Sequence, residues 1–392
     1  MRCLAIALLL ASACAAQVIV DAARFGSTLK ALEPRAGEQT LRCDVTPIKP
    51  SLNFSFRFQA GYIVRVPMSQ YSGSGHGWAM ITSITPQGGG QKPVYLASRV
   101  GLPPIPETKV NVEVGGGYLL GEGRYDVNWT LLDDVGRVCR GSWHVDAKLG
   151  RRERQLKLSM PPDTVADFTL RGRPDSRRGS DDAAPIRLTV LLNAAPLFPL
   201  RTRLRASDRV VLLGLLSSLL ERVPARSVRL VVFNLDQQKT LLREDAFAPG
   251  ALGRVAQSLN GLELGRVDYH VLQNPHGHLD FLAGLVNLEL RAEAPSEVVV
   301  FLGPATRYGA DVPQAALEGS HGDVPRFFNF QFRPYFRNEA ELPDSIAKAT
   351  AKVKGKTIVI RTPADFARAI EQIERRSHPG GTESIKPLSK AQ

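Results

Sequence analysis

The sequence predicts a two-domain protein, an all-β sandwich followed by an α/β domain with a doubly wound, mostly parallel sheet. Three observations carry this. From about Leu41 to Leu149, short apolar runs alternate with polar residues and are cut by turn-forming clusters. After Pro185 the rhythm changes to near-continuous apolar runs separated by stretches of helical spacing. A polar, Arg-rich stretch divides the two regimes. With 392 residues, 43% of them apolar and 22% charged, the chain can build two cores and is not composed like a disordered protein.

The N-terminal residues come first. Met1-Arg2-Cys3, the apolar run Leu4 to Leu10 and the small residues up to Ala16 have the layout of a secretory signal peptide, so residues 1–16 are expected to be removed on export to the periplasm or beyond. The run is too short to span a bilayer, and no later stretch is long and uncharged enough to form a transmembrane segment. Ala11-Ser12-Ala13-Cys14 resembles a lipoprotein box without its usual Leu, which makes lipid anchoring through Cys14 the alternative. Once the leader is gone, Cys43 and Cys139 remain. In an oxidising compartment they are a disulfide candidate, and two separate buried thiols are the other reading. A bridge would close a loop of roughly a hundred residues and contribute on the order of 4 kcal/mol.

The sandwich is assigned to residues 41–160. Its turn signals are Ser72-Gly73-Ser74-Gly75, Gln87-Gly88-Gly89-Gly90 and Asp133-Asp134-Val135-Gly136. Tyr125, Val127, Trp129 and Leu131 share one face of a strand that turns back into Val138 to Val145, a hairpin similar to one in immunoglobulin-like modules. Leu156, Leu158 and Met160 alternate as one more strand would. Residues 161–184, which include Arg171, Arg173, Arg177 and Arg178, read as a flexible linker.

The α/β domain is assigned to residues 185–376. Strands are expected at Ile186 to Leu192, Ser227 to Phe233, Val267 to Leu272, Glu297 to Leu302, Arg326 to Phe332 and Lys356 to Ile360. Helices are expected at Asp208 to Val223, Pro249 to Leu259, Leu279 to Ala292, Pro343 to Val353 and Pro363 to Arg375, with Asp208 as an N-cap. Apolar strands joined by helices imply a parallel sheet covered on both faces. Residues 377–392 read as a disordered tail.

In the order of its elements, in Arg187-Leu188-Thr189-Val190-Leu191-Leu192, in Glu297-Val298-Val299-Val300-Phe301-Leu302-Gly303 and in Thr362-Pro363-Ala364-Asp365-Phe366, the C-terminal half resembles the von Willebrand factor A fold. More narrowly, it resembles VWFA-related exported proteins of acidobacteria; a Rossmann-like domain would share most of these features. The resemblance implies a metal site built from an Asp-x-Ser-x-Ser loop, a Thr and a further Asp. The matching positions here are Asn193-Ala194-Ala195-Pro196-Leu197 and Leu302-Gly303-Pro304, without either acidic ligand, so neither a metal nor any other cofactor is expected.

Ligands of open α/β sheets bind beyond the carboxyl ends of the strands. The loops expected there hold Arg201, Arg203, Arg205, His276, His278, Arg307 and Arg333, a basic set suited to an acidic partner. Lys and Arg outnumber Asp and Glu by 50 to 38, which agrees with a protein or acidic polymer as partner. Nucleic acid is disfavoured by export and by the lack of a basic run interleaved with aromatics. His276-Gly277-His278-Leu279-Asp280 is the most enzyme-like cluster, but its spacing is that of a turn before a helix, not of a one-turn metal pair. Gly355-Lys356-Thr357 precedes its strand and lacks the earlier glycine of a phosphate loop. Ser72 to Gly77 lies in a hairpin loop without a strand-to-helix nucleophile turn. The expectation is therefore an exported binding or scaffolding protein and not an enzyme. The alternative is a secreted hydrolase or sugar-active enzyme using His276, His278 and Asp280.

Overall fold

Alternating apolar and polar residues build the first part of the protein from antiparallel strands. The computed structural model describes residues 17–21, 33, 36–73, 75–88, 92–104, 109–168, 185–198, 201–265, 269–274, 276–317, 324–333 and 344–375. The chain divides into two units, Met1–Thr169 and Leu170–Gln392. The expected signal peptide with Cys14, most of the expected linker and the expected tail lie outside the described residues.

Unit 1 contains β1 (Val18–Val20), β2 (Asp44–Leu52), β3 (Phe58–Pro67), β4 (Gly77–Pro86), β5 (Val94–Gly101), β6 (Asn111–Leu120), β7 (Gly123–Asp133), β8 (Val138–Ala147) and β9 (Val165–Ala166). They form two antiparallel sheets, of order β1-β5-β4-β7-β8 and β2-β3-β6-β9. The inward residues of both sheets meet in shared clusters. Tyr62, Val64 and Val66 of β3 join Trp78 and Met80 of β4 and Trp129 and Leu131 of β7 in one of them. In the other, Phe58 and Tyr118 join Ile84, Tyr125, Val127 and Val145. The β7–β8 hairpin buries Tyr125, Val127, Trp129 and Leu131, and the Tyr125 hydroxyl donates to the Gly121 carbonyl at 2.9 Å. Cys43, just before β2, is disulfide-bonded to Cys139 of β8, which ties one sheet to the other.

At the end of this unit next to the β7–β8 turn, polar groups satisfy one another. Trp78 Nε1 donates to the Tyr71 hydroxyl at 2.9 Å, that hydroxyl donates to Asp133 at 3.1 Å, and Arg137 pairs with Asp133 at 2.7 Å. Burial pushes the Tyr71 phenol up to about 12. His76 bridges the Ser72 carbonyl and the Asp134 carboxylate. His76 thus ties the segment before β4 to Asp134 in the β7–β8 turn.

Unit 2 contains β10 (Ile186–Asn193), α1 (Ala206–Arg222), β11 (Ala225–Asn234), β12 (Lys239–Glu244), α2 (Leu252–Asn260), α3 (Tyr269–Gln273), α4 (Gly277–Leu290), β13 (Val298–Pro304), β14 (Arg326–Phe332), α5 (Ser345–Lys352), β15 (Lys356–Ile360) and α6 (Pro363–Arg375). Its sheet has the order β12-β11-β10-β13-β14-β15. β10 pairs in parallel with both β11 and β13, and β13-β14-β15 continue in parallel, while β12 is antiparallel to β11.

These findings correct the predicted fold class. The protein is mostly β, with two antiparallel sheets and one mixed sheet, and among the described residues there is no clear doubly wound α/β parallel domain. Strand and helix do not alternate as such a domain demands. β11 turns directly into the antiparallel β12, and among the described residues no α-helix joins β13 to β14. Of the expected strand from Val267 to Leu272, the first two residues lie outside the described ones, and Tyr269–Gln273 is helical. The physical reasons are local. Lys239–Glu244 is an edge strand, too short and too polar to read as an apolar run, and a short apolar run such as 267–272 has no period that separates strand from helix. Two smaller corrections follow. The strand after β8 is Val165–Ala166 and not Leu156 to Met160. Asp208 is not the N-cap of α1 but its third residue, where its carboxylate accepts from the Arg205 N–H at 2.9 Å.

Reduction of the disulfide, or the paired change Cys43→Ala with Cys139→Ala, is expected to lower the unfolding free energy by about 2–4 kcal/mol. Urea unfolding at constant m-value reads this as a shifted midpoint; an unmoved midpoint would mean that the bridge adds nothing.

Candidate functional site at the carboxyl edge of the mixed sheet

β10 is the pivot of the sheet, because the strand order runs one way from it to β11 and the other way to β13. Crevices form at such points, past the carboxyl ends of the strands. Residues at and just beyond the ends of β10, β11 and β13 line a small pocket here: Asn193, Ala195, Pro196, Leu235, Asp236 and Thr306-Arg307. It has about 10 Å³ of space for water-sized spheres, enough for roughly one water molecule.

The close approach of β10 and β13 makes this edge. Gly303 has φ of 147°, and a β-carbon there would sit 2.8 Å from the Asn193 carbonyl oxygen. Asn193 is 2% exposed and donates through Nδ2 to the Pro304 carbonyl at 3.1 Å. Across the pocket, Asp236 pairs with Arg307 Nε at 3.0 Å. Burial pushes the Asp236 carboxyl above its ordinary range, against the opposing pull of Arg307, of the Tyr308 hydroxyl and of the nearby His278. Burial likewise raises the Tyr308 phenol. His278, from the first turn of α4, stacks on Tyr308 with ring centroids 4.1 Å apart. Behind them stands Asp344, 4% exposed, at the N-cap of α5. It accepts from the Ile346 N–H and the Thr306 hydroxyl, each at 2.9 Å, and from the Gln331 amide.

The structure brings some of the predicted residues together and leaves others apart. His278 and Arg307 meet through Tyr308 and Asp236. Arg201 lies over the Phe198 ring at 4.1 Å and 3.9 Å from Asp208, whose other carboxylate oxygen accepts from the Arg205 backbone. Arg203 and Arg205 are exposed on the approach to α1, and His276 is exposed at the start of α4. Arg333 follows β14, its N–H donating to the Ile360 carbonyl at 2.8 Å. His276, His278 and Asp280 do not share one environment, since the first and third are exposed while His278 is buried. Sequence reasoning made neither Asp236 nor Tyr308 a site residue. Asp236 could have been found from its place two residues beyond the end of β11 at Asn234.

No family model and no curated protein sequence matches the chain. Among solved structures it is similar to a protein described as ApaA from Bordetella pertussis, at 14% identity over 29% of this chain and 99% of that one, with a TM-score of 0.20. A second structural-genomics X-ray structure matches at 13% identity over 32% of this chain and 97% of the other, with a TM-score of 0.19. Likenesses this slight bear on neither fold nor function.

Two outcomes test the geometry. Gly303→Ala is expected to cost about 1–3 kcal/mol, because it forces a side chain against Asn193 at a backbone angle that L-residues rarely adopt; a variant of unchanged stability would contradict the close approach. Asp236 has its folded pKa above the unfolded one, so the stability linked to it is full below the unfolded pKa and is lost as pH rises through the folded value. Asp236→Asn should remove that slope from the pH profile of thermal unfolding. Superimposable wild-type and variant profiles would show that another group carries it.

Proposed function

We propose that the protein is exported and acts in the cell envelope by holding a protein partner at the carboxyl edge of the mixed sheet. The observation that carries this reading is the apolar tip formed by Tyr269 and Leu272 of α3, 67% and 65% exposed, the highest exposures among the large apolar side chains described. The tip is tied to the edge through Asn274, whose carbonyl accepts from Gln238 Nε2, in the turn after β11, at 3.2 Å. A lone exposed Leu would mean little. An aromatic and a leucine side by side, next to a charged rim, have the make-up of an interface centre.

Three further features support the reading. The pocket at the carboxyl edge holds about one water, which suits surface contact better than enclosure of a substrate. The exposed Arg203, Arg205 and His276 favour a partner with an acidic face. The leader pattern and the Cys43–Cys139 bridge fit an oxidising compartment, and no helix among the described residues is long and apolar enough to cross a membrane. The likeness to von Willebrand factor A-like domains belongs to this proposal as well. With Asn193 and Gly303-Pro304 where the metal ligands of that family stand, the partner is held without a bridging ion.

Capture from envelope extract tests the proposal, comparing the wild type with Tyr269→Ser/Leu272→Ser. A partner retained by the wild type and lost by the double variant, with melting temperature unchanged, is the expected outcome. Recovery of nothing specific, or equal recovery by both proteins, would count against it.

A further inference from the structure

We propose that unit 1 carries a binding pocket for an organic cation, a primary ammonium or guanidinium group, centred on Asp163. This goes beyond the partner-binding reading and uses none of its residues. An open pocket of about 520 Å³ has the charged lining Glu122, Arg124, Asp146, Lys148 and Asp163. That volume lies within the range of small-molecule sites, about 300–1,000 Å³.

Asp163 is held there at some cost. Its φ of 55° is in the left-handed region, and its N–H donates to the Glu122 carbonyl at 2.9 Å. Its carboxylate lies against Gly88 and Gly123, and a β-carbon on either glycine would collide with it. Two neighbours thus lack side chains where this carboxylate stands. Among the described residues it has neither a hydrogen-bond donor nor a cation as partner. A half-buried carboxylate in that condition gains from a ligand that supplies donors and positive charge.

The rest of the lining sets the sign. Lys148 already pairs with Asp146 at 2.6 Å, so that side of the pocket is neutral. Glu122 and Asp163 then stand against Arg124 alone, an excess of negative charge in a chain whose net charge is +12. A metal ion requires oxygen ligands converging on one point, and among the described residues no three His, Cys, Asp or Glu side chains are grouped to hold one. An ammonium or guanidinium group presents several donors at once and can serve carboxylates that do not converge.

Calorimetric titration of the full chain at constant ionic strength, with spermidine and separately with L-arginine methyl ester, tests the proposal. Saturable binding is expected, weakened at least about tenfold by Asp163→Asn. Asn tolerates the left-handed conformation, so this variant keeps its turn, and an unchanged melting temperature checks that it does. Glu122→Gln, which keeps the backbone carbonyl that accepts from Asp163, should weaken binding in the same direction. Tyr269→Ser/Leu272→Ser should bind both probes as the wild type does, which separates this site from the partner-binding edge. Heats no larger than those from sodium chloride, or equal binding by wild type and Asp163→Asn, would overturn the proposal.

Discussion

Unit 2 is organised around the buried carboxylate of Glu289. This side chain of α4 is 2% exposed, and it accepts from Arg229 of β11 at 3.0 and 3.1 Å and from the Thr189 hydroxyl of β10 at 2.9 Å. Thr189 in turn lies 2.7 Å from the Ser296 hydroxyl, just ahead of β13. A buried charge is tolerated only where partners surround it, so this contact leaves α4 little freedom to slide or rotate over the sheet. The apolar packing of Leu282, Val286 and Leu290 against Val231, Val299 and Phe301 contributes burial but little direction. The polar contact near one end of α4 therefore fixes where the other end arrives. That other end carries His278 to Tyr308 and so completes the cluster around Asp236.

The carboxyl edge follows from the same logic of satisfied polar groups. Asp344, Thr306 and Gln331 bind one another behind the edge, and Asp236 and Arg307 pair in front of it. Buried polar groups of this kind are costly unless bonded, and bonding them to each other leaves little unfilled space. What remains open to another molecule is the exposed surface, on which α3 presents Tyr269 and Leu272. The function proposed here rests on the exposed tip that Tyr269 and Leu272 form on α3.

In unit 1 the aromatic residues do the joining. Tyr62, Trp78 and Trp129 fill the space between the two sheets, with the Tyr62 and Trp129 ring centroids 5.2 Å apart. The disulfide ties the sheets near the same cluster. Packing of this density holds strand ends and turns in defined places, and the Asp163 pocket is built from such ends: the start of β7, the end of β8 and the turns beside them.

Much of this was legible in the sequence because it depends on neighbours along the chain. The period-two pattern of Tyr125, Val127, Trp129 and Leu131 placed a hairpin, and the apolar runs at Arg326 to Phe332 and Lys356 to Ile360 are strands with those bounds. The cysteine pair could also be read directly. Where the period was short or the strand polar, as at Val267 to Leu272 and Lys239–Glu244, local pattern was ambiguous and the fold class came out wrong. Tertiary structure alone decided which of the basic loop residues meet, that Asp236 pairs with Arg307 from another loop, and that Asp163 faces Gly88. Those partners lie tens of residues apart, and only the pairing of strands and the packing of helices brings them within hydrogen-bonding or contact distance.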